Sequence, residues 1–254
     1  MHEALLAMCY RRSISIAIAV LQTAAEFMQA SRGTTVQPLV FAVSHGALYS
    51  FGALVLAAIY ACEPPNGQAS TLPFADNVGL VVAFVVVFTL WQNAFVSALS
   101  QFMIAHACGE WYFAPFDSRG KKVLRHSLTA RAASVGIWYH TGTLAFGSLI
   151  VGVAGLLHWL LTWAREHDPN RERNGVQACL CAVNRWALAL VDGFLTLISK
   201  QAYIQVALLG CGFVHAMKVA LAVQIRHPVK LGIIHSVSEV LRFLGTVTVV
   251  AVGL

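Results

Sequence analysis

Residues 77–109, "NVGLVVAFVVVFTLWQNAFVSALSQFMIAHACG", run without a single Asp, Glu, Lys or Arg. About 20 apolar residues cross the ~30 Å hydrocarbon core of a bilayer as a helix, so this window reads as a transmembrane span. Two more windows, Gly33 to Cys62 and Ala132 to Ala164, are equally free of charge. The whole chain of 254 residues is 58% hydrophobic and 11% charged, where soluble domains carry roughly a quarter charged residues. A segment inside lipid must satisfy its own backbone hydrogen bonds, which a helix does. The sequence therefore specifies an all-α, polytopic integral membrane helical bundle.

Outward from that window, the expected spans lie near 36–61, 78–104 and 135–163, followed by less regular apolar segments at 178–199, 201–223 and 231–254. The later three carry Arg185 with Asp192, Lys218, and Glu239 with Arg242. Each fits a span facing a polar interior, a half-helix or a surface helix. Residues 1–32 are read as an amphipathic interfacial helix and 33–254 as the transmembrane domain. Ile16, Val20, Ala24, Phe27 and Met28 share one helical face opposite Gln22 and Glu26, with Arg11 and Arg12 at the head. That pattern suits a helix lying on anionic lipid.

Charge sets the orientation. The connection around 62–76 holds Glu63 and Asp76 but no Lys or Arg, whereas Arg119, Lys121, Lys122, Arg125 and Arg131 follow the second span. The positive-inside rule places 114–131 in the cytoplasm. The same rule explains the net charge of +6 with no nucleic-acid partner. The six cysteines are scattered, so no disulfide framework is expected. Cys179 and Cys181 are too few for a metal site and are read as an inert pair.

Four motifs in order resemble the choline transporter-like family. They are "RRSISIAIAVLQTAAEFM" from residue 11, "YHTGTLAFGSLI" from 139, "AYIQVALLGCGF" from 202 and "VSEVLRFLGT" from 237. The second is similar to the family's Tyr-His-x-Gly-[ST]-x-Ala-x-Gly-Ser-[LF]-Ile signature. Gln201 stands where the family has Asn, Val219 where it has Asp after Lys218, Glu239 where it has Asp, and Thr246 where it has Lys. Family members are longer, with spans on both sides of this region. The resemblance thus implies a fragment or a shortened paralogue, with missing N-terminal spans or a homo-oligomer among its partners.

The resemblance implies transport of choline or a related organic cation by alternating access, with membrane lipids as surroundings and the plasma membrane as the location. The rival is a transport-inactive scaffold or truncated paralogue. A quaternary ammonium donates no hydrogen bonds and is held by aromatic faces worth about 0.5–2 kcal/mol each, often near a carboxylate. Candidate substrate-binding residues are Trp91 and Asn93 in the second span and Tyr139 and His140 in the signature. Tyr203 in the third motif and the carboxylates Asp192 and Glu239 complete the set. Trp111, Tyr112, Trp159 and Trp163, near span ends, read as an interfacial belt.

His45, His106 and His140 lie in or beside spans. Axial haem ligation needs paired histidines at equal depth, which His106 and His140 satisfy, but a second pair is missing and no cofactor is expected. No phosphate loop or nucleophile elbow is present, so the reading is not an enzyme. The small residues Gly142, Ala145, Gly147, Ser148 and Gly152 are expected to form a helix-helix seam.

Overall fold

The computed structural model describes residues 2–61, 77–120, 122–124, 127–166 and 200–253. The expected loop at 62–76, the apolar segment 178–199 and Asp192 lie outside these. Eight helices are described: α1 His2–Ala30, α2 Arg32–Ala61, α3 Val78–Tyr112, α4 Leu128–Tyr139, α5 Thr141–Glu166, α6 Lys200–Leu209, α7 Phe213–Arg226 and α8 Pro228–Gly253. Among the described residues, the only strand-like pairing is one bridge between Phe116 and Lys122.

Among the described residues, four helices are long and apolar enough to cross a membrane: α2, α3, Thr141–Leu160 of α5 and Pro228–Ala251 of α8. At 1.5 Å per residue, the 35 residues of α3 reach about 50 Å, well beyond the hydrocarbon core. It is the central column, packing against α2, α4 and α5.

α2 and α3 run antiparallel, as their contacts show. The Gln37 amide donates to Ser100 O at 3.0 Å, His45 meets Asn93 at 2.7 Å, and Gly52 lies against Thr89. A Cβ at Gly52 would sit 2.8 Å from Thr89 Oγ1, so glycine lets the two backbones approach. α5 also runs antiparallel to α3. The Trp91 indole donates to Ala145 O at 3.2 Å, while Phe102, about three turns further along α3, lies against His140.

The far end of α3 carries a second core. Phe27 of α1 packs on Trp111 at 5.6 Å between ring centroids, with Met103, Ala107, Leu128 and Ala132 around them. Helix α1 therefore ends beside the basic segment that follows α3. Lys122 Nζ donates to Trp111 O at 3.0 Å and Tyr112 O at 3.3 Å, and stands 3.7 Å over the Trp111 ring. It thereby caps carbonyls at the negative end of the helix dipole and makes a cation–π contact. Glu110 and Arg131 add an ion pair at 3.3 Å.

The structure departs from the single span expected at 135–163. The helix breaks at His140, dividing α4 from α5. The Thr141 hydroxyl donates to Ile137 O, the carbonyl that an unbroken helix would pair with the Thr141 amide. The segment 201–223 is likewise two helices, α6 and α7, bent by 111°. Gly210 makes the corner with φ +64, a left-handed conformation that costs glycine nothing.

Candidate functional site

Both helix breaks border one cluster built around Phe102, which is fully buried. Phe102 comes from α3, His140 from the α4–α5 break, Leu144 and Ser148 from α5, Tyr203 from α6 and Phe213 from the start of α7. The rings of His140 and His106 lie 5.2 and 5.8 Å from Phe102. Tyr203 and Phe213 stand 5.5 Å apart, and Phe146 meets Phe213 edge-on at 6.4 Å. Gly147 makes room for this: a Cβ there would fall 2.5 Å from Phe213 ring carbons and 3.0 Å from Tyr203.

The cluster is apolar in bulk but holds unspent hydrogen-bonding capacity. Tyr203 is 2% exposed, and its hydroxyl has no partner among the described residues. The same is true of His106 Nδ1 and of Gln101 Oε1, one position before Phe102. A buried polar atom left unpaired costs about 1–3 kcal/mol, so each is able to reward a ligand that supplies the missing bond. Discontinuous helices line the substrate site in many transporter folds, and aromatic faces are a separate means of holding a quaternary ammonium ion.

The seven expected site residues divide. His140 and Tyr203 come together at this cluster. Trp91 lies at the α3–α5 contact, its N–H spent on Ala145 O and its ring edge-on to Phe88 at 5.8 Å. Asn93 is buried toward α2, donating from Nδ2 to Thr89 O at 2.9 Å and holding His45. Ser97 Oγ approaches the other His45 ring nitrogen at 3.4 Å, so both nitrogens of that histidine are engaged. Tyr139 is 80% exposed. Glu239 lies on α8, paired with Arg242 at 2.7 Å. Asp192 is outside the described residues.

Phe102 and Phe213 did not stand out in the sequence. A phenylalanine in a span looks the same whether it faces lipid or a site. The available signals were His106, one turn after Phe102, and the Gly-Cys-Gly break just before Phe213.

The seam expected from the small residues is partly realised. Ser148 is fully buried, Gly147 is filled by Phe213, and Gly152 faces the Trp91 backbone at 3.9 Å. Gly142, by contrast, has open space around it.

Several membrane-length helices, with a sharply bent pair of shorter ones beside them, define a multi-pass integral membrane protein. The chain belongs to the plasma-membrane choline transporter family, whose sequence model matches residues 3–254. It is 30% identical over 175 residues to choline transporter-like 2 of Anopheles gambiae, covering 66% of this chain and 21% of that protein. It is 30% identical over 182 residues to choline transporter-like protein 2 of Danio rerio, covering 70% and 25%. With choline transporter-like protein 1 of Caenorhabditis elegans the figures are 28% over 159 residues, 61% and 20%. The chain thus spans only a fifth to a quarter of the length of these relatives.

Proposed function

We propose that the chain forms part of the path by which choline or a related organic cation crosses the plasma membrane, by alternating access and without ATP hydrolysis. The observation that carries this reading is the convergence of Phe102, His140, Tyr203 and Phe213 at two helix breaks. The aromatic faces suit a quaternary ammonium. The free Tyr203 hydroxyl suits an alcohol at the other end of the same small molecule. Of the two carboxylates expected from sequence, Asp192 is the proposed counter-charge, because Glu239 is engaged by Arg242. Tyr139 is proposed at the mouth of the path. Trp91 and Asn93 are proposed to hold α3 against α5 and α2 rather than to touch substrate.

A second reading, a membrane partner that keeps the fold without transporting alone, is supported by the small share of the relatives' length that the chain represents. Uptake of labelled choline into liposomes containing only this chain separates the two. Uptake above that of empty liposomes, abolished by Phe102→Ala with helix content retained, supports the first. A folded chain with no uptake supports the second.

A further inference from the structure

Helix α8 carries a polar row left largely uncovered in the structure. His235, Glu239, Arg242 and Thr246 recur at spacings of three and four residues. At 100° per residue they share a stripe about 60° wide, with Ser238 on its border. Their helix is one of those long and apolar enough to span a membrane. It packs against α1 and α7, yet the side chains of His235, Glu239 and Arg242 are 61%, 44% and 71% exposed. Charged groups at such positions face protein or a water-filled path, because hydrocarbon solvates neither.

We propose that this stripe is the interface through which two copies of the chain associate, related by a two-fold axis along the membrane normal. Two copies inserted the same way run their α8 helices parallel. The row is then self-complementary, with a carboxylate and a guanidinium one turn apart. Within one chain, Arg242 makes a single contact with Glu239, at 2.7 Å, and His235 stands 3.9 Å from the same carboxylate. The remaining guanidinium donors reach Glu239 of the second copy. The hydroxyls of Ser238 and Thr246 donate to Ile234 O and Arg242 O, which leaves their oxygens as acceptors on the outer face. Gly245, beside the stripe and seven residues after Ser238, has nothing within 4 Å of its Cβ position. Small residues at that edge let two backbones approach. An isologous contact of this kind closes on itself as a dimer.

The test uses the full chain in lipid vesicles at low protein-to-lipid ratio, with its native cysteines replaced and helix content checked by circular dichroism. Ser238→Cys and Gly245→Cys are expected to cross-link between copies, while Leu244→Cys, on the opposite face, does not. Adding Arg242→Gln to Ser238→Cys abolishes the cross-linked band, and Arg242→Lys retains it. Two-step photobleaching of singly labelled protein is expected in the same vesicles. Single-step bleaching without cross-links overturns the proposal. Labelling of monomeric Ser238→Cys by a water-soluble maleimide would show an aqueous path instead, and protection of a monomer would show a different helix on the stripe.

Discussion

Asn93 Nδ2 donates to Thr89 O at 2.9 Å, which turns the amide oxygen toward His45 and fixes the proton on its Nδ1 at 2.7 Å. The carbonyl can only accept, so the orientation of the amide, and through it the histidine tautomer, follows from the α3 backbone. Removing Asn93 strands a donor between two spans. A double-mutant cycle with Asn93→Ala and His45→Ala is expected to give a coupling of about 0.6–1.7 kcal/mol in detergent unfolding, as for other interhelical bonds in membranes. Additive single effects would contradict the bond.

Gly147 and Gly142 lie five residues apart but are predicted to differ in sign. Gly147→Ala drives a methyl group into the Phe213 ring, and overpacking of this kind costs about 1–3 kcal/mol. Gly142→Ala meets open space and leaves stability unchanged or raises it by up to about 1 kcal/mol. Thermal melts of the two purified variants provide the comparison.

Tyr203→Phe removes a buried hydroxyl with no partner among the described residues and so is expected to leave thermal stability intact. If the hydroxyl meets the alcohol of choline, the variant weakens choline binding by about tenfold, the equivalent of one hydrogen bond. Tetramethylammonium, which has no hydroxyl, should bind both proteins equally. Equal weakening of both ligands would reassign Tyr203 to packing.

Lys122 ties the segment after α3 to Trp111. Lys122→Met should expose residues 113–124 to limited proteolysis several-fold faster, with Lys122→Arg intermediate because it keeps the charge over the ring but not the same fit to two carbonyls. Unchanged cleavage would show that the bridge between Phe116 and Lys122 suffices alone.

The basic segment sets the expected orientation, and Ser118 is exposed within it. A chain whose only cysteine is Ser118→Cys should react with an impermeant maleimide from the cytoplasmic side alone. Reaction from the other side would invert the topology.

Composition and charge spacing determined the membrane class, because hydrocarbon admits few alternatives to long apolar helices. The motifs pointed to the family whose sequence model matches residues 3–254. The break at His140 was not legible, because the charge-free apolar run continues straight through it. Nor did the sequence separate Trp91 from Asn93. They read as one polar interruption, yet two residues turn a helix by about 200°, so one holds α5 and the other α2.

What the sequence determined by itself is therefore solvent and lineage: a helical chain made for lipid, belonging to one transporter family. Only the tertiary structure decided which side chains share a site. Within lipid the apolar signal is the same on every face of a helix, and partners are chosen by close packing and hydrogen bonds between helices. Phe102, His140, Tyr203 and Phe213 are scattered over more than a hundred residues. They meet because Gly147 admits a ring and two helices break beside α3.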